Sequence, residues 1–339
     1  MVNTPRVGFL GTGWIGRHRM EAMVATGSIE VAAICDPSEE CLADARALAP
    51  EAQVAPSLDA MLALGLDGVV IATPSALHAE QSIAALRAGA AVFCQKPLGR
   101  SAPETQAVID AARAADRLLG VDLSYRHTQG MQAIATLVRD GSLGEVFAVD
   151  LTFHNAYGPG KPWFFDPAQS GGGCVIDLGV HLVDLALWTL GFPEVADVQA
   201  TLLAGGRPLQ PGQVEDYATA RFTAGGADVR LACSWNLNAG RDAVIEAAFY
   251  GTRGGAALRN VAGSFYDFTA QHFTGTHART LAEPPDSWGA RSAAIWAQQL
   301  AVSPGFDPDS ERLVQSADVL DRIYGRLEGL NAPDARPRT

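Results

Sequence analysis

The stretch GFLGTGWIGRHRM, residues 8–20, decides how the chain is read. An apolar run ends at Leu10, and a helical pattern begins at Trp14. Between and just beyond them, Gly11, Gly13 and Gly16 fall in the pattern G-x-G-x-x-G. Glycines at these positions permit a tight strand-to-helix turn and let backbone amides approach a pyrophosphate at the helix N-terminus. Gly11, Thr12, Gly13, Trp14, Ile15 and Gly16 are therefore candidate cofactor contacts. Asp36 follows Gly16 by 20 positions, at the end of the apolar run IEVAAICD. A carboxylate there suits a hydrogen bond to the adenosine ribose diol. It also repels a 2′-phosphate, and no Arg or Lys follows it in DPSEE, so NAD is expected in preference to NADP. Arg17, close by in sequence, counts the other way. A glycine-rich turn in an ordinary α/β fold is the plainer reading, but strand, helix and acid all stand in the order a dinucleotide site needs.

Working outward, residues 5 to about 120 alternate short apolar runs with helical patterns. LDGVVIATP, AAVFCQKP and RLLGVDLSY read as further strands. SALHAEQSIAALRAG and SAPETQAVIDAARAAD read as helices, the second with Ser101 and Glu104 as a capping box. This rhythm predicts a parallel sheet with helices on both faces. After about residue 124 the pattern changes. A helix over HTQGMQAIATLVRDG leads to a strand, a Gly/Pro/aromatic loop (158–173), an apolar helix (175–190) and a series of β-rich segments joined by short turns. These predict a largely antiparallel sheet. Helices are expected near 288–302 and 309–328, the last of them packing back on the first domain, and a loose tail at the end. The fold class is α/β, with an N-terminal dinucleotide-binding domain over 1–124 and a second α/β domain over 125–339.

The bulk numbers fit this division. A chain of 339 residues suggests about two domains. With 48% hydrophobic and 18% charged residues it has the composition of a globular enzyme. The net charge of −12 argues against nucleic acid as a partner. Five cysteines with no CxxC pair argue against a disulfide framework or a zinc site and suggest a reducing, cytoplasmic location. The N-terminus enters a strand without a signal-like apolar core. The apolar run 174–190 contains Asp177, His181 and Asp184, which makes it a poor membrane span.

Three further motifs carry chemistry. Thr73 and Pro74 end a strand whose C-terminal end should face the ligand cleft of an α/β sheet, and His78 follows in the next helical turn. That histidine suits either a cleft or a satisfied buried position. In CQKP, Gln95 and Lys96 also end a strand, and Pro97 keeps residue 96 out of helical geometry. An isolated lysine there would read as a solvated charge; a second strand end at the same cleft makes it a candidate functional group. In GGGCVIDLGVHLVDLALWTLG, Asp177, His181 and Asp184 stand at i, i+4 and i+7 on one face of an otherwise apolar helix. Ionisable groups on such a helix need partners or a cavity. They suit an acid/base pair in which Asp177 orients His181, a metal site, or a buried hydrogen-bonded group. No further ligand lies at workable local spacing, so no metal is expected. The acid/base pair is carried forward, with Asp184 as a structural group.

Together these motifs resemble the glucose–fructose oxidoreductase / inositol dehydrogenase / MocA (Gfo/Idh/MocA) family: a Gly-rich fingerprint, T-P…H, a K-P strand end, and D-x-G-x-H-x-x-D on a helix. The resemblance implies a Rossmann domain that binds NAD(P), and a second domain whose large open sheet completes the substrate site and builds a homodimer or homotetramer. It implies Lys96 as catalytic lysine and His181 as general acid/base with Asp177. One departure is plain: the family usually has Glu before the lysine, and this chain has Gln95. The neutral residue can still hydrogen-bond but cannot offset the charge on Lys96. The substrate would be a sugar, cyclitol or related polyol, oxidised at a secondary alcohol. Arg126, His154, Asn155, Lys161 and Trp163 are candidate contacts to it, although the loop HNAYGPGKPWFFD could equally pack a domain junction. A non-catalytic NAD-binding sensor or subunit, and a redox-neutral enzyme that retains NAD, are the competing readings.

Overall fold

Short runs of Val, Ile, Ala and Phe, each bounded by a turn and a helical pattern, organise the first part of the chain. The computed structural model describes residues 4–326. In chain order it contains β1 (Arg6–Leu10), α1 (Trp14–Ala25), β2 (Glu30–Cys35), α2 (Glu39–Leu48), β3 (Gln53–Val54), α3 (Leu58–Leu62), β4 (Gly68–Ile71), α4 (Ser75–Arg87), β5 (Ala91–Cys94), α5 (Ala102–Ala115) and β6 (Leu119–Val121). Then follow α6 (Gln129–Arg139), β7 (Val146–Asn155), α7 (Pro167–Ser170), α8 (Val180–Leu190), β8 (Val195–Ala204), β9 (Arg207–Pro208), β10 (Tyr217–Ala224), β11 (Ala227–Ser234), β12 (Ala243–Gly251), β13 (Gly255–Asn260), β14 (Phe268–Thr274), β15 (His277–Ala282), α9 (Arg291–Val302) and α10 (Leu313–Ile323). The expected tail after residue 330 lies outside the described residues.

The first sheet is parallel throughout, in the order β3-β2-β1-β4-β5-β6. The order reverses between β1 and β4, and that switch point opens a crevice outside the carboxyl ends of the strands. β4 and β5 are buried along their whole length, as a sheet covered on both faces requires. Val7, Phe9, Ile34, Val70 and Phe93 form its core with Met20 and Met23 of α1 and with Trp296 and Leu300 of α9. Gly68 and Gly120 make room for the Trp296 indole: a Cβ at either would lie 2.8 or 2.6 Å from it.

That packing explains where the chain divides. Two compact units form among the described residues, and they interleave in sequence. The first takes residues up to 128 with 168–171 and 286–313; the second takes 129–167, 172–285 and the residues from 314 on. The expected division at 124/125 is therefore too simple, because α9 carries core residues of the first unit. The last helix, α10, lies in the second unit apart from its first residue, so it is α9 rather than α10 that returns to the dinucleotide-binding fold.

The second sheet has nine strands in the order β15-β14-β13-β12-β7-β11-β10-β8-β9. All its pairs are antiparallel except β7 with β11. β10 alternates strictly, burying Ala218, Ala220, Phe222 and Ala224. One face packs against α6 and α8. The other bears Asp150, Thr152, Thr201, Thr219, Arg221 and Arg230 around a shallow depression of about 590 Å³. From Pro167 to Leu190 the mean hydropathy reaches 1.5. Most of α8 is nevertheless buried and packs on β7 and β11, as a core helix does.

Candidate active site

The turn after β1 has the geometry of a nucleotide-phosphate cradle. Gly11 adopts φ +84°, and a Cβ there would lie 2.6 Å from the Ala72 carbonyl oxygen. A Cβ on Gly16 would overlap the Gly11 carbonyl oxygen, so both glycines are needed for the turn itself. Gly13 differs: it has ordinary backbone angles and nothing within 4 Å of a Cβ. It is the N-cap of α1, and among the described residues no side chain caps that helix. The first amides of a helix have no partner inside it, so this end can receive an anion. Asp36, at the end of β2, accepts from Thr12 N at 2.7 Å and from Ser38 N at 2.9 Å. Its carboxylate thus ties the turn to the second strand. Thr12 Oγ1 is buried with no hydrogen-bond partner among the described residues. The open space at Gly13, the uncapped helix start and the fixed acid fit a dinucleotide. Trp14 and Ile15 are exposed at the same helix start, and Trp14 stacks on His18 with ring centroids 5.6 Å apart. Arg17 forms an ion pair with Asp44.

The ends of β4, β5 and β6 come together beside this turn. Gln95 N donates to Ile71 O and Asp122 N to Cys94 O, both at 2.9 Å, which continues the sheet one residue past the strands. His78 is 1% exposed, and both ring nitrogens face carbonyl oxygens, Pro97 O and Thr73 O, at 2.7 Å. Only an imidazolium satisfies both bonds. Burial nevertheless lowers the pKa of this ring, and the two carbonyl bonds oppose that without overcoming it. His78 is thus a buried histidine with both ring nitrogens against backbone carbonyls, only one of which a neutral ring can donate to. It clamps the Thr73–Pro74 strand end to the Lys96–Pro97 peptide, which is cis, and leaves no ring nitrogen for a cofactor. Thr73 Oγ1 bonds Gln81 Oε1 at 2.6 Å.

Lys96 is half-buried, and the residue before it is anchored from below. Gln95 Nε2 donates to Asp122 Oδ2 at 2.6 Å. Asp122 is 2% exposed and also receives Arg19 Nε at 2.6 Å, Ser292 Oγ at 2.5 Å and the Ser124 hydroxyl. Burial alone would push this carboxyl up, but the Arg19 charge and the hydrogen bonds outweigh it and hold the pKa below the usual carboxylate value. Breaking such a buried pair costs about 3–5 kcal/mol. Sequence reasoning missed both Asp122 and Arg19. The available signals were an acid at a strand end and an arginine three residues after Gly16, on the inner face of α1.

In the second unit, the apolar helix opens with a π-helical turn, Val175–Gly179, before α8. Turns of this kind recur at functional sites. Asp177 lies in that turn, half-buried, and its Oδ2 accepts from Trp235 Nε1 at 3.1 Å. His181 is four residues on, 8% exposed, its ring centroid 6.4 Å from that of Phe153. Asp184 is deeper, at 2%. The start of this helix is capped by Glu215, another residue the sequence did not reveal. Its buried carboxylate accepts from Gly173 N at 3.0 Å, Val175 N at 2.9 Å and Tyr324 Oη at 2.7 Å.

Around Trp235 stands an aromatic group. Phe164 and Phe165 meet it edge-on with centroids 6.3 and 5.8 Å away, and Trp163 stacks on Phe164 at 3.8 Å. Asn155 shares the sheet face of Phe153 by strand alternation, and its Oδ1 is buried without a partner among the described residues. His154 does not join this group. The same alternation sends it to the opposite face of the sheet, where it bonds Ser234 Oγ at 2.7 Å and stacks with Tyr217. Its expected substrate role would therefore be played from that other face. Lys161 is exposed on the loop before the aromatic group. Arg126 belongs to the first unit, in the short helical turn Ser124–His127.

Two family models match the chain. Residues 5–123 match "Oxidoreductase family, NAD-binding Rossmann fold", and residues 131–257 match "GFO/IDH/MocA C-terminal domain". The chain is 31% identical over 278 residues to the D-glucoside 3-dehydrogenase of Escherichia coli K12, across 76% of this chain and 78% of that one. It is 30% identical over 338 residues to D-xylose 1-dehydrogenase (NADP(+)) 2 of Haloferax volcanii, across 95% and 97%. Among solved structures, levoglucosan dehydrogenase in complex with NADH and levoglucosan has the same fold, with a TM-score of 0.81 at 22% identity over 96% of this chain and 98% of that one. With matches in both halves of its length and a relative aligned over nearly all of it, the chain belongs to the Gfo/Idh/MocA family of NAD(P)-dependent oxidoreductases.

Proposed function

We propose that the enzyme is an NAD-preferring dehydrogenase acting on a secondary alcohol of a sugar, cyclitol or related polyol. The observation that carries this reading is Asp177, held by the Trp235 indole and set one turn before His181 on a buried helix. Asp177 orients the imidazole, and His181 takes the proton of the reacting hydroxyl. Lys96 holds the alkoxide that develops, by charge and hydrogen bonding. When bound, the nicotinamide ring supplies the hydride acceptor. In the reverse direction His181 returns the proton to the carbonyl oxygen.

The aromatic surface of Trp163, Phe164, Phe165 and Trp235 suits the apolar face of a sugar ring, and Asn155 Oδ1 is an acceptor for a hydroxyl. Arg126 and Lys161 add donors. The relatives named for glucoside and xylose support the same class of substrate. For the cofactor, Asp36 is backed by Glu39 and Glu40 in the first turn of α2, a run of acids that disfavours a 2′-phosphate, while Arg17 is engaged by Asp44.

A panel of sugars, cyclitols and polyols, each offered with NAD and with NADP, tests the reading by nicotinamide fluorescence. The expected result is reduction by at least one member, faster with NAD. Turnover with no net NADH, and with cofactor that stays bound, would identify a redox-neutral enzyme instead.

A further inference from the structure

The cluster beneath Lys96 has a definite charge count. Arg19 contributes one positive charge and Asp122 one negative charge, both under 10% exposed. Gln95, Ser124 and Ser292 are neutral donors to the same carboxylate. Among the described residues, His18 on α1, Cys94 on β5 and His127 in the turn after β6 also feel the Asp122 charge; Arg126 and Arg291 act on His127 from its other neighbours, and α9 presents the Ser292 hydroxyl to Asp122. Burial lowers His18 and His127 and pushes the Cys94 thiol up to about 12, so in neutral solution these three are uncharged. In direct contact, the cluster therefore pairs one buried anion, Asp122, with one buried cation, Arg19.

Gln95 is the member whose identity this count fixes. Its amide points at an oxygen of a carboxylate that already serves Arg19. A glutamate of the same length would set a second carboxylate about where the amide nitrogen now stands, 2.6 Å from Asp122 Oδ2. Two carboxylates at that separation cannot both ionise; one must keep a proton. The neutral amide donates at every pH and removes that conflict. Because Gln95 and Lys96 are consecutive at the end of β5, whatever moves the side chain at 95 moves the backbone that carries the lysine.

We propose that Gln95 and Asp122 are a charge-matched positioning pair: one buried carboxylate shared by Arg19 and the Gln95 amide fixes the end of β5 and, through it, the placement of Lys96. This inference rests on Lys96 being the catalytic lysine.

The test exchanges the two groups. Gln95→Glu puts two carboxylates against one guanidinium. Asp122→Asn leaves the guanidinium with none. The double variant restores one carboxylate, now at 95, with an amide at 122 to donate to it. In Gln95→Glu the shared proton has a raised pKa, so turnover is present in acid and lost as pH rises through that value. At pH 8 turnover is expected to fall about tenfold or more, as for a misplaced catalytic group. The double variant should recover to within about threefold of wild type and lose the alkaline fall, the coupling expected of residues in contact. Thermal midpoints without substrate should follow the same order. A double variant no better than either single variant in midpoint, or one that fails to fold where a single variant folds, overturns the pairing. Restored midpoints without restored turnover overturn the positioning role. Failure of the underlying assignment is seen separately, as turnover by Lys96→Ala close to wild type.

Discussion

Gly13 and Gly16 stand three residues apart in the same motif and do different work. Gly16 is required by the protein, because a Cβ there would overlap the Gly11 carbonyl oxygen. Gly13 is crowded by nothing, so the chain itself gives no reason for a glycine there. A dinucleotide does: a methyl group at 13 would stand where the pyrophosphate approaches the backbone. Gly13→Ala should keep its thermal midpoint and lose about tenfold in NAD affinity, an effect of some 1.4 kcal/mol. Gly16→Ala should lose about 1–3 kcal/mol of stability, as other overpacked sites do. Calorimetry of unfolding and a titration with NAD check both, and unchanged binding by Gly13→Ala contradicts the phosphate assignment. The fingerprint glycines, Asp36 and the Lys96 strand end were legible in the sequence because local spacing alone defines them. Asp122 was not, since its partners come from positions as distant as 19 and 292 and only the folded sheet collects them.

The helix that carries Asp177 and His181 is secured at its start by a buried carboxylate. Glu215 satisfies amides that the first turn leaves open, and a Cβ on Gly173 would overlap the Glu215 backbone. Glu215→Ala should cost about 2–3 kcal/mol, by loss of a cap and exposure of buried donors to no acceptor. Its pH dependence has a definite sign. Burial pushes the Glu215 carboxyl up, and the bonds from Tyr324, Val175 and Gly173 only partly oppose this. The folded state then binds its proton more tightly than the unfolded chain. Stability from this group is full below the ordinary carboxylate range and is lost as pH rises through the raised value. Urea unfolding across that range should show the decline in wild type and a flatter profile in Glu215→Ala; parallel profiles would rule the assignment out. The helix was legible from its apolar run, but the π turn was not, because i, i+4 spacing fits both kinds of turn. Glu215 sits in QPGQVEDY, which has no periodicity to mark it. Which sheet face His154 takes was not legible for a related reason: strand alternation gives two faces, and the sequence does not say which one the helix covers.

At the scale of the molecule, the β-α rhythm and the later β-rich run were enough to read a parallel and a mostly antiparallel sheet. The interleaving of the two units was hidden, since it depends on Trp296 filling space left by Gly68 and Gly120, residues far from it in sequence. The most direct test is turnover of Lys96→Ala and His181→Ala at saturating NAD, on the substrate the panel identifies. Each variant should lose about 10²-fold or more in kcat while NAD affinity stays within a few-fold of wild type, as expected when an alkoxide donor or a general base is removed. Turnover by both variants within a few-fold of wild type would contradict the assignment.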